Sequence, residues 1–182
     1  MYFEKPGPDN TAEALEIAFD YAGKEKINHV VLASTWGRTA EEALNYKKDD
    51  INMVVVTHNA GFKEPGVQTF DPEIRKKVTE NGGHVLTCPM PTRSLGRAIK
   101  DTSGFAPEDV ASIAWRMMGQ GTKVCVEIAT MACDAGLIPP GDVVTVAGTG
   151  KGADTVLLIS AMPSNKTFDM KIKKVLAKPA NW

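Results

Sequence analysis

HVVLASTWGRTA, residues 29–40, is the stretch on which the reading of this chain turns. Its apolar run Val30-Val31-Leu32-Ala33 stops at two hydroxyl residues, Ser34 and Thr35, and beyond Trp36 and Gly37 the spacing becomes helical. A buried strand thus feeds a turn that opens a helix. The free N–H groups of a helix's first turn, adjacent hydroxyls and a glycine that lets backbone approach closely together suit a phosphate or a carboxylate. A plainer role is open to the same residues: Gly37 makes the turn and Thr39 caps the helix, with Glu42 completing a capping box.

The same alternation repeats on either side. Upstream, Asn10 and Glu13 stand at capping-box spacing, and Leu15, Ala18, Phe19 and Ala22 follow on one helical face before Gly23. Downstream, the spacing predicts a helix over 39–46, a strand over 52–57 carrying MVVV, and a long loop to Phe70. Asp71-Pro72 then opens a helix with an N-cap and a proline at its first position, Asn81-Gly82-Gly83 closes it, and 85–87 is a short strand. Repeated strand–helix alternation implies right-handed crossovers and a mostly parallel sheet covered on both faces, a three-layer α/β/α domain.

From Cys88 the pattern changes. Residues 88–105, with Pro89, Pro91 and Gly96, read as an irregular excursion carrying Arg93, Arg97 and Lys100. Two helices follow, one after Ala106-Pro107 with Val110, Ile113, Ala114 and Met117 on its apolar positions, the other over 123–135. Met117, Met118, Met131 and Cys133 read as core packing rather than a sulfur ligand set. Pro139-Pro140-Gly141-Asp142 is a turn, strands cover 143–147 and 156–160, and an alternating segment over 170–176 is expected at a sheet edge.

Composition narrows the function classes. The 182 residues fit one domain, and a net charge of -1 without basic blocks argues against nucleic acid. No apolar run is long enough to span a membrane and no leader-like h-region opens the chain, so a cytoplasmic protein is expected. Three cysteines without CxxC spacing indicate neither a disulfide framework nor a zinc site, and no metal is expected.

In an open parallel sheet, ligands bind outside the carboxyl ends of the strands. Here those ends are all polar or glycine-rich: Ser34-Thr35; Thr57, His58 and Asn59; Thr87; and Gly148, Thr149, Gly150, Lys151, Gly152, Ala153, Asp154 and Thr155. The last loop lacks GxxxxGK[ST] spacing and is not a nucleotide P-loop; a flexible hairpin connection explains its glycines equally well. His58 is the side chain closest to working pH, although no carboxylate neighbours it in sequence. Cys88 beside Pro89 could be a nucleophile or a packing thiol. No catalytic residue is assigned.

Strand, STWGRTA, helix, the VVVTHN strand end, and GDVVTVAG before a glycine loop and Thr155 resemble the C-terminal α/β domain of pyruvate kinase, and the stand-alone archaeal and bacterial proteins built on it. In the kinases the first loop binds the phosphate of a sugar-phosphate effector and the loop after the fourth strand closes over it. Carried across, the resemblance implies that Ser34, Thr35, Gly37, Arg38 and Thr39 hold phosphate while residues 148–155 cover the ligand; Arg97 and Lys151 are candidate cations besides. Trp36 departs from the kinase pattern, which has a small hydroxyl residue there; it removes a donor and supplies a flat indole that suits a stacking ligand. The stand-alone family implies flavin mononucleotide (FMN) as that ligand, the subunit contacts of this domain type in the kinases imply a homo-oligomer, and residues 88–136, longer than the kinase domain allows, stand as a helical insertion. The kinase reaction belongs to a barrel domain absent from these residues, so no pyruvate kinase activity is implied. A flavin-dependent or other small-molecule enzyme using the same pocket, and a ligand-free assembly domain, are the alternatives.

Overall fold

The computed structural model describes all residues, Met1 to Trp182. Seven strands form one sheet: β1 (Tyr2–Phe3), β2 (His29–Ala33), β3 (Asn52–Val56), β4 (His84–Leu86), β5 (Gly141–Ala147), β6 (Thr155–Ala161) and β7 (Lys171–Pro179). Their spatial order is β1-β7-β6-β5-β2-β3-β4. β5, β2, β3 and β4 run parallel, while β6 runs against both β5 and β7. The helices are α1 (Thr11–Glu25), α2 (Arg38–Ala43), α3 (Pro72–Glu80), α4 (Ser94–Ser103), α5 (Pro107–Arg116) and α6 (Gln120–Asp134). This is the mixed α/β, mostly parallel architecture expected from the sequence.

Period-two alternation divides the apolar run of each central strand between two cores. Val30, Leu32, Met53 and Val55 face α1, α2 and α3, where Leu15, Phe19 and Val78 are buried. Val31, Val54 and Val56 face α6, against Cys125, Ile128, Ala129 and Ala132. Burial on both sides is why these strands are nearly continuous in Val, Leu and Met. The chain steps outward from β2 to β3 to β4, then returns through α6 to β5 on the other flank of β2. Strand order therefore reverses beside β2, and the crevice outside its carboxyl end is the switch point of the sheet.

Several expectations are corrected. Asn10 makes no cap: its amide donates to the carbonyls of Lys5 and Gly7, and α1 runs past Gly23 to a left-handed C-cap at Lys26. α2 is capped at Gly37 and by the Ser34 hydroxyl, which accepts from the Ala40 N–H at 3.4 Å, so Thr39 and Glu42 form no capping box. The excursion after Cys88 is not wholly irregular, because it contains α4. The segment expected at the edge, β7, lies one strand inside it: Tyr2 and Phe3 pair with Lys178 and Pro179. The largest departure is α5. Val110, Ile113, Met117 and Met118 are exposed, Met117 to 75%, so of Met117, Met118, Met131 and Cys133 only Met131 lies in the core and Cys133 packs partly buried against it. α5 packs on α6 and α4 on α5, so α4 and α5 lie outside the sheet while α6 packs against it.

Candidate functional site

The loop after β2 is drawn tightly into the body. Gly37 adopts φ 106°, and a Cβ there would lie 2.7 Å from Ile74 Cδ1, so only glycine fits. Ser34 and Thr39 are buried. The Thr35 carbonyl accepts from the Thr69 hydroxyl at 3.1 Å, and the Trp36 carbonyl from the Asp71 N–H at 3.4 Å. Arg38 is exposed and Trp36 is half exposed.

Beyond β3, Thr57 is buried in a closed network. Its hydroxyl lies 2.8 Å from that of Thr87 and donates to the His58 carbonyl, also at 2.8 Å. Gln68 and Arg75 each donate to the Thr87 hydroxyl at 3.0 Å. Such mutual satisfaction ties the ends of β3 and β4 to the long loop and to α3.

His58, next along, is not closed off in this way. Its Nε2 lies 3.4 Å from Thr35 Oγ1, its ring packs on Phe62 with centroids 4.0 Å apart, and its Nδ1 is buried without a partner. Burial lowers its pKa first, and the Arg93 and Lys63 charges lower it further, against Glu127, so the imidazole is neutral at working pH. Loop 59–70 folds over this corner: Lys63 Nζ stands 4.6 Å from the Trp36 ring centroid and the Arg93 guanidinium 4.8 Å from that of Phe62. Asn59 donates to the Ala60 carbonyl at 2.9 Å.

The glycine loop after β5 is a hairpin organised on its own anion. Asp154 is fully buried. Its Oδ2 accepts from the N–H groups of Gly7 and Thr149, both at 3.0 Å, and its Oδ1 from the Thr155 hydroxyl at 2.8 Å. Gly152 allows the loop to press against α1's leading turn; a Cβ there would lie 2.5 Å from Pro8 Cα. Thr155 fills the space against Gly121 of α6. Lys151 and Gly150 are exposed, and the Thr149 hydroxyl, like His58 Nδ1, is buried without a partner.

A buried charge cluster stands behind His58. Lys123 and Glu127, one turn apart on α6, form an ion pair from which water is excluded, and the Thr92 hydroxyl donates to the other Glu127 oxygen. Glu127 and Lys123 were invisible as a site in sequence because the i, i+4 spacing of Lys and Glu is usual on solvated helix faces. The thiols offer little chemistry. Burial pushes Cys125 up to about 12 and raises Cys88, which lies far from the reactive thiolate range. No group of three or more His, Cys, Asp or Glu side chains could hold a metal ion, and no helix is long and apolar enough to cross a membrane.

The strand ends thus bring together Thr35, Trp36, His58 and the loop cations, whereas Ser34, Thr39 and Thr57 act as internal supports and Arg97 pairs with Asp101 outside the crevice. No protein-family model matches the chain. Among solved structures it is similar to a Cryptosporidium parvum pyruvate kinase in complex with ADP, at 18% identity and a TM-score of 0.42, over 85% of this chain and 24% of the kinase. The chain therefore spans about a quarter of that enzyme's length.

Proposed function

We propose that the chain binds a phosphate-bearing small molecule in the crevice at the carboxyl edge of its sheet, with FMN the first candidate. The observation that supports this most is the pair of orphaned polar atoms at that edge, His58 Nδ1 and the Thr149 hydroxyl. Thr130 Oγ1 on α6 is the third buried polar atom without a partner, and a ligand or water that reaches the two at the sheet edge removes their cost. Trp36 offers a half-exposed indole face, and Lys63 and Arg93 supply positive charge beside it. In this reading Thr35 and Thr149 donate to the ligand's oxygens, Ser34 and Thr39 brace the loop from below, and neutral His58 donates or accepts one hydrogen bond. A bound flavin would bring its own hydride and single-electron chemistry, and the residues here would orient it and exclude water.

Mass spectrometry of whatever small molecule leaves the denatured protein is the direct test, backed by titration with FMN. Quenched flavin fluorescence that is lost in Trp36→Ala and weakened in Thr149→Val is expected. A chain that neither carries a phosphorylated molecule nor gains thermal stability with FMN sinks the proposal. A second reading, an assembly domain forming homo-oligomers, has separate support in the exposed apolar positions of α4 and α5: Leu95, Val110, Ile113 and Met117. Light scattering on the purified chain tests it, since a monomer at all concentrations excludes it.

A further inference from the structure

Beside the sheet-edge crevice, and sharing Arg93 with it, the helical excursion gathers cations. Arg93 before α4, Arg97 and Lys100 within it, Arg116 from the end of α5 and Lys123 from α6 line one cleft of ≈ 80 Å³, with Asp109 of α5 also in its wall and no apolar side chain there. Three of the five already face a carboxylate: Arg97 pairs with Asp101 at 2.9 Å, Lys100 with Asp109 at 2.5 Å, and Lys123 with Glu127. Arg93 and Arg116 form no ion pair, although the Asp109 charge also reaches Arg116. Arg116 is nevertheless held in place, its Nε donating to Gln120 Oε1 at 2.8 Å and its Nη1 to Ser112 Oγ at 2.6 Å, which leaves the Nη2 edge of the fork free.

The floor of the cleft is built rather than superficial. Lys123, Thr92 and Ser112 are 5%, 5% and 2% exposed. Lys123 also sits at the start of α6, where the helix field repels a cation. Burial lowers its pKa, the paired Glu127 opposes that, and Arg116 and Arg93 add smaller effects in the direction of burial. A buried ammonium crowded by two guanidiniums and a helix N-terminus is an arrangement that one further anion would relieve.

We propose that this cleft binds a compact, multiply charged oxyanion of the phosphate or diphosphate class, at a site that adjoins the sheet-edge crevice through Arg93 but holds its ligand on Arg116, Lys100 and Lys123. A wall without apolar groups gives a ring or an acyl chain nothing to bury, so the recognised part is the charged head itself. The space is several times that of one water on the same measure, enough for an oxyanion held by forked guanidinium hydrogen bonds. The chain's net charge of -1 and the confinement of these cations to one cleft set it apart from a nucleic-acid surface.

Isothermal titration of the full chain with pyrophosphate and orthophosphate, at ionic strength fixed with sodium chloride, tests this. Saturable binding at one site is expected, tighter for pyrophosphate. Arg116→Gln should weaken it about tenfold or more, and Arg116→Lys, which keeps the charge and loses the fork, should fall between. Lys100→Gln, on the exposed rim, provides a second variant that does not disturb folding. Trp36→Ala and Thr149→Val should leave pyrophosphate affinity unchanged, which separates the failure of this proposal from the failure of the crevice reading. Heats that do not saturate, affinity indifferent to both Arg116→Gln and Lys100→Gln, or affinity lost in Trp36→Ala instead, would each overturn it.

Discussion

In the loop between β5 and β6 a buried carboxylate, Asp154, takes up two backbone N–H groups and a hydroxyl, whereas at the end of α5 the Arg116 guanidinium is braced by Gln120 and Ser112 and forms no ion pair. The first region has the glycines and hydroxyls associated with anion loops, yet supplies its own anion. The second has no recognisable motif and leaves positive charge over. A loop built from the right residue types can thus be complete in itself, and an incomplete site is recognised by groups left unanswered after all internal partners are assigned.

The largest test of this contrast is Glu127→Ala, which strands the Lys123 ammonium in the interior. A loss of about 3–5 kcal/mol in urea unfolding is expected, and a double change of Lys123 and Glu127 to Met and Leu should recover most of it. Asp154→Ala should cost about 2–3 kcal/mol by the same measurement, because donors are orphaned in a buried loop. A loss near zero there would mean that water replaces the carboxylate and that the hairpin is open after all. Ser34→Ala, removing a long helix-capping contact, should cost about 0.5–1 kcal/mol.

His58 sharpens the comparison through pH. Its folded pKa lies below the unfolded value of 6.5, so the unfolded chain binds the proton more readily. The stability it contributes is present above 6.5 and is lost as pH falls through the folded pKa; His58→Gln should flatten that decline, with the remainder due to His29, which burial also lowers. The smallest effect is expected from Ile113→Ser with Met117→Ser. Both side chains are exposed, so unfolding free energy should move by less than about 0.5 kcal/mol while any self-association seen by light scattering weakens.

Strand positions were legible because burial on both faces forces long apolar runs. The expected strands over 52–57 and 156–160 correspond to β3 and β6 within a residue or two. Asp71 caps α3 as its place before Pro72 suggests, accepting from the Glu73 and Ile74 N–H groups. The excursion was less legible for a physical reason. The apolar spacing of α5 predicts a buried face, and spacing reports only that a helix has such a face, not that this chain covers it. Asp154 was equally opaque: in GTGKGADT a carboxylate turned inward and one turned to solvent are the same letter. What identifies it is Gly7, which lies at the other end of the chain.

That distance has a kinetic consequence. Tyr2 and Phe3 obtain strand partners only from Lys178 and Pro179, and the Gly7 amide obtains its acceptor only from Asp154. Emerging from a ribosome, the leading residues must wait for nearly all the rest before they can settle. This border of the sheet should consequently be the last to zip, and stopped-flow refolding followed at Tyr2 should lag behind signals from the central strands.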